Sequence, residues 1–318
     1  MTAGPGGRTG REEQRRAARG YGIPDVGAHS PDAKAPATPT GGTAKDADAA
    51  LADLFQRLCA DGRVADAMNL LRTAAARRPS YDTGRAWSAG VDCVTLAEGP
   101  SAPFLFCLPS PVIAGSPSQY ASLSACLAPR DVMACRLPGY RAGESLPASR
   151  DALVAVLARA VRRSAQGRPY VLLGHSGGGW LAYETARRLV ASPERPTGVV
   201  LIDSGVPDQV TPQALAVLLR LAHRGAEAGS AGLSTLTAMS RHLDLFNDWS
   251  PRPLAVPTFF VAAAEPSAGV RAMWPLACDR GRTEGDHFSL MNEYAGTTAH
   301  VIDAWLVRLA TPPQGDRR

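Results

Sequence analysis

The stretch Leu173-Gly174-His175-Ser176-Gly177-Gly178-Gly179 sets a serine between glycines in the pattern G-x-S-x-G. A serine hydroxyl becomes a nucleophile only where a base takes its proton and donors receive the charge that develops. The flanking residues predict such a place. Before the motif, Tyr170-Val171-Leu172-Leu173 reads as a buried strand of a parallel sheet. After it, Leu181, Ala182, Ala186 and Leu189 recur at helical spacing, with Arg187 and Arg188 near the helix end. A sharp strand-to-helix turn would hold Ser176 strained, with its hydroxyl raised above the sheet edge. Gly174 and Gly178 are expected where strand and helix pass too closely for side chains. Ser176 would open the helix, where unpaired N–H groups favour negative charge, so the N–H of Gly177 is the first expected oxyanion donor.

A serine nucleophile also needs a base, and the base needs an acid to orient it, in the chain order serine, acid, histidine. Of six histidines, His29 lies in the N-terminal tail, His175 beside the serine, His223 and His242 in a long insertion, and His300 on the last helix. His287, in Gly285-Asp286-His287-Phe288-Ser289, alone sits in a loop beyond the last expected strand and is the expected base. Two acids end strands: Asp203 after Val199-Val200-Leu201-Ile202, and Glu265 in Ala264-Glu265-Pro266. Both tips could reach the far nitrogen of the histidine, although a short, rigid side chain favours Asp203. A second oxyanion donor is expected from Leu108-Pro109-Ser110-Pro111-Val112. Prolines have no N–H, which leaves Ser110 first and Val112 next.

The elements that must hold these residues alternate between strand and helix. Val91 to Leu96 reads as an outer strand, Pro103 to Leu108 as a buried one, Asp131 to Leu137 as the next. Ser149 caps a helix striped with Leu153, Val156, Leu157, Ala160 and Val161. Gly198 to Asp203, Pro257 to Ala262 and a weaker run near Cys278 complete the strands, and Val301 to Leu309 a closing helix. Repeated βα units predict an α/β fold with a mostly parallel, doubly wound sheet, its site beyond the carboxyl ends of the strands.

Two segments depart from that rhythm. Leu51, Leu54, Phe55 and Leu58, then Val64, Met68, Leu71 and Ala75, predict a helical hairpin over 46–79. It is too short to bury its own apolar face, so it packs on the main body or on a second copy, and a dimer is the favoured expectation. Residues 207–251 separate two strands and hold two helical patterns, Leu215-Leu218-Leu219-Ala222 and Leu236-Met239-Leu243-Phe246. An insertion of this length is expected to form a helical lid over an acyl chain. Residues 1–45, rich in Gly, Pro, Ala and Thr, read as a disordered linker or leader, and 312–318 as a disordered tail, leaving 80–311 as the catalytic domain.

Composition narrows the partners. The formal charge of +5 includes no basic block interleaved with aromatics, so no nucleic acid is expected. No apolar run reaches membrane-spanning length and no signal peptide is visible, so a soluble, cytoplasmic protein is expected. Six cysteines lack C-x-x-C spacing, which predicts neither a metal site nor a disulfide framework. No cofactor is expected.

With these residues in view, the chain resembles, from about residue 50 to 309, the thioesterase domain that ends modular type I polyketide synthases. Leu173 to Gly178, Val199 to Asp203, Ala264-Glu265-Pro266, Gly285 to Phe288 and the second lid helix through Trp249-Ser250-Pro251 carry the resemblance. It implies an α/β-hydrolase fold in which the acid follows the strand after the nucleophile helix, selecting Asp203 over Glu265. It also implies a dimer through the N-terminal helices, a channel under the lid, and a polyketide acyl chain delivered on the phosphopantetheine arm of an acyl carrier protein. Residues 1–45 would be the linker from that carrier. The chain would pass to Ser176 and leave to water as a linear acid or to its own hydroxyl as a macrolactone. Arg220, His223, Arg224, Arg241 and His242 make the expected lid polar, which tilts the expectation towards hydrolysis. A stand-alone editing thioesterase or small-molecule esterase would use the same residues, and a non-catalytic interaction protein would need none of them.

Overall fold

The position of the site follows from where one strand leaves sequence order. The computed structural model describes residues 44–86, 90–112, 115–127, 129–207, 232–266 and 272–310. Its strands are β1 (Ser80–Tyr81), β2 (Cys93–Leu108), β3 (Arg130–Cys135), β4 (Leu146–Pro147), β5 (Tyr170–His175), β6 (Gly198–Ile202), β7 (Thr258–Ala263) and β8 (Asp279–Thr283). Six of them form one sheet in the order β3-β2-β5-β6-β7-β8, with β5 to β8 running parallel. β2 pairs with β5 on its other side, also in parallel. Sequence order therefore turns back at β5, and the crevice beyond the carboxyl ends of β2, β5 and β6 is where such a sheet holds its ligand. β1 and β4 make a separate two-residue pair.

The sheet takes this form because β5 and β6 are apolar at nearly every position and buried at every one. Their side chains alternate between two cores. Phe106, Leu108, Leu172, Leu201 and Phe260 enter the first, and Leu105, Cys107, Leu173, Val200 and Val261 the second. Helices α4 (Arg150–Ala165) and α5 (Gly177–Leu189) cover the first face, and α3 (Ala121–Cys126) and α7 (Ala295–Ala310) the second. Burial contributes roughly 1.5 to 3 kcal/mol for each large side chain, which is why a parallel sheet covered on both faces reads as a continuous apolar run. Ser149 caps α4 as expected, its Oγ accepting from the N–H of Ala152 at 3.1 Å.

One difference from the sequence expectation lies at the sheet edge. The separate strands expected at Val91 to Leu96 and Pro103 to Leu108 form the single element β2. Its first part runs antiparallel to β3, with Cys93 opposite Cys135 and Thr95 opposite Met133. Its last part meets β3 again in ascending register, Leu105 with Val132 and Cys107 with Ala134, after several register shifts. β8, with Arg280 and Arg282 on a short edge strand, protects the other side from pairing with a further chain.

The expected hairpin is present as α1 (Ala44–Ala60) and α2 (Val64–Ala75). Phe55, Met68 and Leu71 are buried in the first core, so the hairpin packs on its own chain, chiefly against α6 (Leu233–Phe246). Arg72 reaches Asp244 at 2.7 Å. The half-buried Arg78 donates to the carbonyls of Ser234, Gly139 and Glu144, fastening α6 to the body. The other expected lid helix, around Leu215 to Ala222 with Arg220, His223 and Arg224, lies outside the described residues, as do the expected linker up to Thr43 and the tail.

Of two residues expected to make the lid polar, one is tied to the body and the other is buried. Arg241 donates to the backbone carbonyls of Pro147 and Ala148. His242 is fully buried, its Nδ1–H donating to Ala238 O at 2.8 Å and its ring 5.4 Å from that of Tyr140. Burial pushes the His242 imidazole down to about 4, so the folded chain stays neutral there while the unfolded chain takes a proton below about 6.5. The unfolded state then binds more protons, and stability falls with acid by up to about 1.4 kcal/mol per pH unit between those values. His242→Phe is expected to flatten the acid side of a plot of urea midpoint against pH, read at pH 7, 6 and 5. An unchanged slope would count against a neutral His242.

Candidate active site

Ser176 joins β5 to α5 with φ +56° and ψ −130°, a conformation that L-residues avoid and that marks a held turn. Its N–H donates to Ile202 O at 3.0 Å. The neighbouring glycines are required by space. A Cβ on Gly174 would run into the Gly178 carbonyl, one on Gly178 into the Leu108 carbonyl, and one on Gly179 into Ser204 Oγ. Gly177 is the first residue of α5, where an N–H has no intrahelical acceptor. A Cβ there would lie 3.1 Å from Pro111 Cδ and 3.5 Å from Ser110 Oγ, which places the loop after β2 directly against the helix start.

Asp203 directly follows β6 and has φ +43°. It is buried, and its Oδ2 accepts from His287 Nδ1 at 2.7 Å while its Oδ1 accepts from the Ala263 N–H at 3.1 Å. Burial alone would raise the carboxyl, but the His287 hydrogen bond and charge and the Ala263 N–H outweigh it and hold Asp203 below its ordinary value. The carboxylate therefore stays ionised through neutral pH. Glu265, the other acid at a strand end, is exposed, and its backbone N–H donates to Gly285 O. The structure thus brings His287 to Asp203.

The loop carrying His287 is built locally. Asp286 Oδ1 accepts from the N–H groups of Phe288 and Ser289, a turn in which an aspartate side chain replaces a backbone acceptor. Gly285, at φ +81°, opens the turn, and a Cβ there would press on the Tyr294 ring and Ser289 Oγ. The ring of His287 lies 4.6 Å from that of His175, next to the serine.

The loop after β2 departs from expectation. Ser110 is fully buried, and its N–H, expected to face an oxyanion, donates instead to Gln119 Oε1 at 2.8 Å. The Val112 N–H reaches Ser110 Oγ at 3.4 Å. With prolines at 109 and 111, no backbone N–H of Pro109, Ser110 or Pro111 is left to point at the serine. What lies against Gly177 from this loop is Pro111 Cδ and, slightly further off, the Ser110 hydroxyl.

Several residues that the sequence reading passed over complete the site. Tyr120 OH donates to Leu108 O at 2.7 Å and accepts from the His175 N–H at 2.9 Å, tying the end of β2 to the turn. Tyr140 OH donates to Pro111 O at 2.6 Å. Trp180 Nε1 donates to Gly205 O at 2.6 Å, holding the loop beyond Asp203, and its ring contacts Phe246 of α6 at 5.9 Å. Each supports backbone rather than chemistry, and no local motif marks such a role in a sequence. Among the described residues no cluster of His, Cys, Asp and Glu has the makings of a metal site, and no helix is long and apolar enough to cross a membrane. No disulfide joins the six cysteines.

The family model described as a thioesterase domain matches residues 103–306. The chain is 36% identical over 274 residues to the spectinabilin polyketide synthase system protein NorC of Streptomyces orinoci, covering 80% of this chain and 12% of that protein. It is 34% identical over 277 residues to the polyketide synthase GfsE of Streptomyces halstedii, covering 82% of this chain and 7% of that one. The chain thus spans only a small part of the curated relatives it matches. Among solved structures, the NocB thioesterase domain from the nocardicin cluster superposes with a TM-score of 0.55 at 20% identity, covering 69% of this chain and 99% of that one. At that identity the likeness is one of fold.

Proposed function

The chain belongs to the thioesterase family and has an α/β-hydrolase fold, and from that premise we propose that it releases a polyketide acyl chain held as a thioester on an acyl carrier protein. The observation that carries this reading is the 2.7 Å contact between His287 Nδ1 and Asp203 Oδ2, with the His287 ring 4.6 Å from that of His175, the residue before a strained serine at the start of a helix. Its identity with stretches of polyketide synthases supports the substrate class.

In this mechanism Asp203 keeps the His287 proton on Nδ1, leaving Nε2 to take the proton of Ser176 as its oxygen attacks the thioester carbonyl. The phosphopantetheine thiol leaves with a proton returned by His287, and an acyl ester on Ser176 remains. His287 then takes the proton of the second nucleophile as it attacks the ester carbonyl, and returns that proton to Ser176 Oγ as the acyl chain leaves. Water yields a linear acid; a hydroxyl of the chain yields a macrolactone. The burial of His242 removes one of the residues that favoured water, so both acceptors belong to the proposal.

The oxyanion meets the N–H of Gly177 and, in place of the Ser110 N–H, the Ser110 hydroxyl. That oxygen lies close to Gly177, beside Pro111 Cδ, and accepts from Val112, which leaves its own proton to donate. Ser110→Ala is expected to lower kcat by about a hundredfold with little change in KM, since one such donor contributes on that order. Steady-state kinetics of the folded variant read this directly, and an unchanged kcat would remove Ser110 from the site.

The reading is tested by comparing an acyl chain on a carrier protein with the same chain as a free oxygen ester. Binding energy from the carrier arm should make the carrier-bound form the better substrate by about tenfold or more in kcat/KM. Equal or better turnover of the free ester would favour a small-molecule esterase. The acid-to-lactone ratio among the products distinguishes water from the internal hydroxyl. A dimer joined through α1 and α2 forms part of the same proposal, with the partly exposed Leu54 on α1 as its contact and sedimentation as its test.

A further inference from the structure

A single line of hydrogen bonds joins the loop after β2 to the backbone of His287. The Ser110 N–H meets Gln119 Oε1 at 2.8 Å, Gln119 Nε2 meets His175 Nδ1 at 3.1 Å, and His175 Nε2 meets His287 O at 2.8 Å. The direction of every bond in it is fixed by its first member. A backbone N–H can only donate, so Gln119 must present its oxygen to Ser110 and its NH2 to His175. The Nδ1 of His175 must then accept, and its proton sits on Nε2, where it donates to the His287 carbonyl. The far end agrees with this polarity, because a carbonyl oxygen can only accept. One neutral tautomer satisfies all three contacts.

We propose that Gln119 and His175 are positioning residues, a relay that sets the His287 loop and the Ser110 loop at fixed places on either side of Ser176. This rests on the reading of Ser176, Asp203 and His287 as the reacting set. His175 suits the task by place, since it is the residue before the serine and is held on both sides. Its backbone N–H is taken by Tyr120 OH and both ring nitrogens are engaged. The groups facing its ring are Gln119, Tyr120, His287 and, through His287, Asp203. Its charge state suits the task as well. Burial, reinforced by the nearby His287, pushes the His175 imidazole down to about 3, so it carries no charge against the imidazolium that His287 becomes during the reaction. A neutral ring 4.6 Å away can hold the base without opposing its protonation.

The relay explains why the Ser110 N–H is turned from the serine. The peptide is used to orient Gln119, and the side chains of Ser110 and Pro111 are what remain on the Gly177 side. It also gives the histidine in G-x-S-x-G a task apart from that of His287.

The test combines a direct view of the tautomer with kinetics. In wild-type protein labelled with 15N-histidine, the His175 ring should show its proton on Nε2 and a bare, hydrogen-bonded Nδ1. A proton on Nδ1 instead would overturn the proposal without recourse to any variant. In Gln119→Glu the carboxylate still accepts from Ser110 but has nothing to donate, so His175 must place a proton on Nδ1. The 15N signals should change accordingly, and kcat should fall about tenfold or more with KM within about twofold, as small displacements of a base do. Gln119→Leu should show the same kinetic split. A kcat within twofold of wild type in both variants, with the wild-type fold retained by circular dichroism, would sink the relay. If Ser176→Ala retained turnover, the reading of the reacting set would fail, while the tautomer result would still decide the relay by itself.

Discussion

Ser176→Ala is expected to lower turnover of an acyl thioester by about a millionfold, to the level left by binding and oxyanion stabilisation alone. The size follows from the way the site is built. The strained turn, the three glycines that cannot carry a Cβ and the helix start at Gly177 all serve one oxygen atom, and alanine removes that atom while leaving the backbone as it was. Alanine at φ +56° is no more strained than serine, so the variant should keep the thermal midpoint of the wild type. Loss of turnover in a protein of unchanged stability is the expected result. Turnover within tenfold of the wild type would place the nucleophile elsewhere.

The second large effect is expected at the acid. Asp203 Oδ1 accepts from the Ala263 N–H and Oδ2 from His287 Nδ1. In Asp203→Asn the single amide oxygen is claimed by the Ala263 N–H, which has no other use for an NH2 group. The amide NH2 then faces His287 and donates to Nδ1, so the imidazole proton moves to Nε2, the atom that should receive the proton of Ser176. A base in the wrong tautomer costs about 10⁴-fold in kcat. The fold itself should lose less, because the amide keeps both contacts in altered polarity. Glu265→Gln serves as the comparison. Its side chain is exposed, its backbone contact to Gly285 is unaffected by the change, and kcat should stay within about twofold. A large loss at Glu265 with a small one at Asp203 would reverse the assignment.

These expectations show which parts of the molecule local sequence carries. The buried strands were legible because a parallel sheet covered on both faces needs apolar residues without interruption, as in Tyr170 to Leu173 and Val199 to Ile202. The turn at Ser176 was legible because glycines are demanded by collisions within one short segment. The choice between Asp203 and Glu265 was not decided by residue type, since both end a strand. The contact with His287 depends on where β6 and β7 lie relative to that loop, which is a property of the sheet order.

The loop after β2 shows where such reading stops. Counting which residues have an N–H singled out Ser110, yet the N–H is turned towards Gln119, nine residues further on. Nothing in Pro109-Ser110-Pro111 announces that partner. The same holds for Tyr120 and Trp180, whose polar atoms support backbone brought near by tertiary packing. Likewise, Arg241 and His242 looked like polar lid residues by type, but one is engaged by carbonyls of the body and the other is buried against Tyr140. The β2 element differed for a related reason: its two apolar runs are joined by residues that pair with β3 despite a sequence rich in turn formers.

The central claim is that an acyl chain rests covalently on Ser176 between two transfers. It is tested most directly by mixing the protein with a long-chain acyl N-acetylcysteamine thioester, stopping the reaction within one turnover, and measuring the intact mass and the modified peptide. The expected result is a mass gain equal to the acyl group, located on the peptide that carries Ser176, absent from Ser176→Ala and lost as free acid or lactone appears. Turnover without any adduct on that peptide, or a folded protein that neither gains mass nor consumes the thioester, would contradict it.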